Sequence, residues 1–110
     1  MAYDEGLAER IRTVVVERPT VIEKKMFGGL AFMLNDYMFC GVMQDTLMAR
    51  VGPDNYAASL AKPFVREMDF TGRSMKGYVY VDPQGIESDQ DLEYWIELCL
   101  EFVLKLPPKK

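Results

Sequence analysis

The sequence predicts an α+β fold of two layers: a mainly antiparallel sheet with helices packed on one face, in the order α-β(3-4)-α-β(2)-α. Three observations predict it. The ends of the chain carry apolar residues at helical spacing, Leu7-Ile11-Val14-Val15 and Leu92-Trp95-Ile96-Cys99-Leu100-Val103. Between them lie short β-rich runs separated by two-residue polar breaks, which suit hairpins rather than crossovers. The chain has 110 residues with 49% apolar content, the size and composition of one globular domain with a single core.

The first helix spans Asp4 to Glu17. Asp4 and Glu5 favour its N-terminal end and Pro19 stops it. A first strand covers Val21 to Met26. Leu30 to Leu34 and Tyr37 to Met43 flank Asn35-Asp36, a tight turn because both residue types tolerate positive φ. Neither run alternates cleanly with polar residues, so both faces of these central strands are apolar. Gln44-Asp45 turns the chain into a strand from Thr46 to Val51.

Gly52-Pro53-Asp54 opens a short helix that ends before Pro63. Arg66 to Phe70 and Tyr78 to Val81 are strands, with a polar loop from Thr71 to Gly77 between them and a turn at Asp82-Pro83-Gln84-Gly85. Ser88-Asp89-Gln90-Asp91 resembles a capping box ahead of the last helix, which Pro107-Pro108 ends, leaving Lys109-Lys110 frayed.

Composition narrows the chemistry. The chain has no histidine, which excludes Ser-His-Asp and Cys-His catalysis and makes a zinc site improbable. Cys40 and Cys99 sit in apolar company and read as buried thiols. Glu87, Asp89, Asp91 and Glu93 lack calcium-loop spacing and suit a helix start. No cofactor, metal or catalytic residue is expected. The acidic Met1-Ala2-Tyr3-Asp4-Glu5 start has no signal-peptide character, and no apolar run has membrane-helix length, so the location expected is cytoplasmic with no membrane partner.

The net charge of −4 is uneven: residues 18–76 carry eight bases against six acids, between acidic ends. Lys24, Lys25, Arg50, Arg73 and Lys76 are the candidate contacts for nucleic acid, a weak expectation at an excess of two charges. Gly28-Gly29 follows no phosphate-loop pattern and reads first as a bend where backbone approaches backbone. In a metabolite-binding alternative, Gly28, Gly29, Arg73 and Lys76 hold an anion and Tyr78 stacks on it. Met33, Tyr37, Phe39, Met43 and Tyr78 are the candidate interaction surface, on a sheet face left free for a protein partner or a second copy of the chain.

Four segments taken together resemble the N-terminal domain of the TfoX (Sxy) family: "EKKMFGGLAFMLND", "FCGVMQDTLMARVGP", "MDFTGRSMKGYVYVDP" and "DLEYWIELCLEFVLKLP". The resemblance spans nearly the whole chain. It implies a two-layer fold similar to secretion chaperones and YjbR-like proteins. It also implies a non-enzymatic bacterial regulator of the competence and transcription kind, without established catalytic residues. The C-terminal helical domain of the founding members is expected to be absent, making residues 1–110 a single domain.

Overall fold

The computed structural model describes residues 4–16, 20–26, 29–70 and 73–107; the side chains of Met26, Asp69, Phe70 and residues 73–76 are outside that description. The element order is α1 (Glu5–Val14), β1 (Ile22–Met26), β2 (Gly29–Leu34), β3 (Tyr37–Met43), β4 (Thr46–Arg50), α2 (Pro53–Leu60), β5 (Val65–Phe70), β6 (Arg73–Val81), a 3-10 turn at Pro83–Ile86, and α3 (Asp89–Leu104). All strands pair antiparallel in one six-stranded sheet of order β1-β2-β3-β4-β6-β5. This is the α+β architecture that the alternating periods predict.

Local chemistry accounts for the element ends. The Asp4 carboxylate caps α1 by accepting from the Gly6 and Leu7 N–H groups. Ser88 caps α3 by accepting from the Asp91 N–H, which is half of the expected capping box. Asn35 and Asp36 both take positive φ, at 53° and 68°, so the turn between β2 and β3 has the twist that two-residue hairpins need. Gln44 does the same between β3 and β4.

The expected polar loop from Thr71 to Gly77 is corrected. β6 begins at Arg73, with Phe70 opposite Arg73 and Asp69 opposite Ser74. Ladder bonds belong to the backbone, so polar side chains in a hairpin do not prevent pairing. The stop at Pro19, together with Gly28, Thr71-Gly72 and residues 108–110, lies outside the described residues.

The core sits between the sheet and the helices. Leu30, Phe32, Val42, Leu47, Ala49, Val79 and Val81 share one side of the sheet, by pairing, and pack with Leu7 and Ile11 of α1 and Trp95, Ile96, Cys99 and Leu100 of α3. Tyr56 and Leu60 of α2 pack against the same cluster. Arg10 anchors α1 to the 3-10 turn by donating to the Ile86 carbonyl over 2.8 Å. Among the described residues no helix is long and apolar enough to cross a membrane.

Candidate functional site

Strand register decides what the other side of the sheet presents. Lys24 lies opposite Ala31, Ala31 opposite Gly41, Gly41 opposite Met48, Met48 opposite Tyr80, and Tyr80 opposite Arg66. These six residues form one row across all six strands, on the face that α1 and α3 do not touch. The row is charged at its ends and small in the middle. Ala31 is fully buried and Met48 is only 1% exposed, so the middle of the row is closed to solvent. A Cβ on Gly41 would lie 2.6 Å from the Met48 Cε, so the Met48 side chain occupies the space that Gly41 leaves. Met33 and Met38 pair beside this row, and all of Met33, Met38 and Met43 are half-buried.

Polar contacts hold the rim of this methionine face. The Tyr80 hydroxyl donates to the Met43 Sδ over 3.6 Å. Arg66 lies 5.2 Å from the Tyr80 ring centre and donates to Asp82 through Nε and a terminal nitrogen, the latter at 2.7 Å. The Asp82 carboxylate raises the Arg66 pKa, so the rim keeps its positive charge.

The expected interaction residues divide. Met33 and Met43 lie on the methionine face. Phe39 does not: it is fully buried in the core. The cause is a bulge. Phe32 pairs with Cys40 but Met33 pairs with Met38, so Phe39 is an extra residue in β3. One added residue turns the strand over, and Phe39 enters the helix-side core beside Cys40. Tyr37 follows it: it pairs with Leu34, packs against the core, and donates its hydroxyl to the Pro107 carbonyl over 2.6 Å. Tyr78 pairs with Arg50, and the Arg50 guanidinium lies 5.3 Å from its ring centre.

Of the expected basic contacts, the two on β1 part from each other. Lys24 and Lys25 are consecutive on β1, so they point to opposite faces, Lys24 beside Ala31 and Lys25 beside Leu30. β6, which carries Arg73 and Lys76, is four strand spacings from β1, about 19 Å. The side chains of Arg73 and Lys76 lie outside the described residues, as does Gly28. Arg50 is committed to three aromatic rings, those of Tyr37, Tyr78 and Phe102. Gly29 fits its structural reading: a Cβ there would lie 2.3 Å from the Val42 carbonyl oxygen, so the residue marks a close approach of two backbones.

Sequence reasoning missed Met48, Tyr80 and the small floor of Ala31 and Gly41. Counting outward from the Gln44-Asp45 turn pairs Gly41 with Met48, and that arithmetic was available. The same counting from Asn35-Asp36 pairs Phe32 with Phe39, which the bulge overturns.

Comparison with known proteins gives one family. The family model described as the TfoX N-terminal domain matches residues 15–103, from the end of α1 nearly to the end of α3. No curated protein matches, and no solved structure matches.

Proposed function

Since the chain belongs to the TfoX N-terminal domain family, we propose that it is a non-enzymatic regulatory module that docks a protein partner through the methionine face of its sheet. The observation that supports this reading is the set of half-buried apolar side chains, Met33, Met38, Met43 and Tyr80, that borders the closed middle of the row between exposed Lys24 and Arg66. Methionine has three flexible torsions and a polarisable sulfur, so such a face adapts to an apolar partner surface. Covering one methionine side chain contributes up to roughly 1.5–3 kcal/mol. Several together offset the cost of association, and the charged ends orient the partner.

A photo-crosslinking residue at Met43 tests this in producing cells, with the same residue at Glu93, on the outer side of α3, as control. The expected outcome is a discrete adduct from position 43 alone, lost in a Met33→Glu, Met38→Glu variant that keeps its melting temperature. Light scattering over a concentration series then tells a second copy of the chain from a different protein. Equal labelling at both positions, or no adduct at position 43, refutes the reading.

A further inference from the structure

Apart from the methionine face, a crevice lies between the segment that joins α2 to β5, the 3-10 turn and the first turns of α3. It has a volume of about 220 Å³ and is lined by Lys62, Phe64, Gln84, Asp91, Tyr94 and Trp95, among others. We propose that it binds a small zwitterion, a free α-amino acid with an aromatic or large apolar side chain.

The first support is backbone strain. Phe64 has φ +66°, a left-handed conformation that costs a bulky residue energy. It is held there by the Asp82 N–H, which donates to the Phe64 carbonyl over 2.8 Å. The strain does not serve to bury the ring, since Phe64 remains 50% exposed at the crevice. Tyr94, across the lining, is 45% exposed and meets Trp95 edge to face, with ring centres 5.2 Å apart. Two large aromatic side chains are thus kept half in water around one hollow, where an apolar side chain would be gained from solvent.

The second support is charge. Lys62 and Asp91 line the same crevice with opposite sign, yet they do not pair with each other. Among the described residues neither has any ion-pair partner. The Lys62 ammonium rests 4.9 Å from the Tyr94 ring centre. The Asp91 side chain is exposed at the crevice. A molecule bearing a carboxylate and an ammonium satisfies both charges at once, the carboxylate on Lys62 and the ammonium on Asp91, with its side chain against the aromatics. The Gln84 amide adds a donor and an acceptor at the same mouth.

Trp95 is the chain's one tryptophan and lines the crevice, so its emission reports occupancy. The full chain is titrated with phenylalanine, with phenethylamine, which lacks the carboxylate, and with 3-phenylpropionate, which lacks the ammonium. The expected result is a saturable change with phenylalanine and binding about tenfold weaker for each analogue. Lys62→Met and Asp91→Asn, checked for unchanged melting temperature, each weaken phenylalanine about tenfold. Asp91→Asn leaves phenylpropionate unaffected and Lys62→Met leaves phenethylamine unaffected. Absence of a saturable change at millimolar phenylalanine overturns the proposal. So does equal binding of the analogues, or phenylalanine binding unchanged in both variants. Because the crevice is away from Met33, Met38 and Met43, loss of crosslinking at the sheet face does not bear on this result.

Discussion

The Arg50 guanidinium lies 5.4 Å from the centre of the Phe102 ring, so a cation at the end of β4 is seated on an aromatic side chain in the last turns of α3. Tyr37 at the start of β3 and Tyr78 on β6 complete the setting at 5.5 Å and 5.3 Å. One side chain thereby joins three strands and a helix. Arg50 is half-buried, and its guanidinium rests against these ring faces. Arg50→Met is expected to destabilise the fold by about 1–2 kcal/mol, read from urea unfolding. Arg50→Lys is expected to lose most of the same stability, because a compact ammonium cannot stack flat against several rings. A lysine variant equal to wild type would show that charge alone suffices.

Gly29 is a position where space, not chain flexibility, decides the residue. Its missing Cβ would sit 2.3 Å from the Val42 carbonyl oxygen, a backbone atom that cannot rotate away. Gly29→Ala is therefore expected to push β2 and β3 apart and cost about 1–3 kcal/mol. Amide exchange should accelerate in β2 and β3 before β5 and β6. Unchanged exchange in β2 and β3 would remove the close-approach explanation.

The pairing of α1 with β1 makes stability depend on acid. Arg12 donates to both carboxylate oxygens of Glu23, at 2.8 Å and 2.9 Å, and also to Glu9. These bonds lower the Glu23 pKa below its ordinary value. A depressed folded-state pKa contributes stability that is present above the unfolded value and is lost as the pH falls through the lowered one. Both side chains are about one third exposed, so the contribution is about 0.2–1 kcal/mol. Glu23→Gln is expected to lower stability at neutral pH by that amount and to flatten the decline below about pH 4.5. Denaturation midpoints from acid to neutral pH read the difference directly.

Cys40 and Cys99 are both fully buried. Burial pushes the Cys99 thiol up to about 12, against the opposing pull of the Arg50 backbone N–H. Burial also raises Cys40 well above the usual thiol range, and Cys99 adds to that rise. Neither supplies a thiolate near neutral pH. Thiol-reactive dye is expected to label the native chain only as fast as it opens, with the rate rising in urea along the unfolding curve. Rapid labelling of one thiol in the native state would place it at the surface.

How much was legible depended on the reach of the information. Asn35-Asp36, Ser88 and Pro53 act within one turn of chain, and the structure puts the turn, cap and helix start where those residues predict them. The apolar stripe from Leu92 to Val103 identified α3 and its buried side for the same reason. The candidate site was legible only in part. Met33 and Met43 lie half-buried on the side of the sheet away from the core, while Phe39 and Tyr37, which unbroken alternation places there, lie with the core instead. Lys24 and Lys25 looked like one patch in the sequence and are divided by the pleat.

The amino-acid sequence by itself determined the order and type of the elements, the two tight hairpins, and the chemistry that a chain without histidine cannot perform. Those follow from torsional preference, capping and periodicity, which act over a few residues. Tertiary structure alone decided three things: that β6 lies between β4 and β5, that one extra residue at Phe39 turns β3 over, and that Lys62 and Asp91 come to line one crevice. Each depends on contacts between segments far apart along the chain. Their free energy is shared among all the partners of the core, and no single window of sequence holds it.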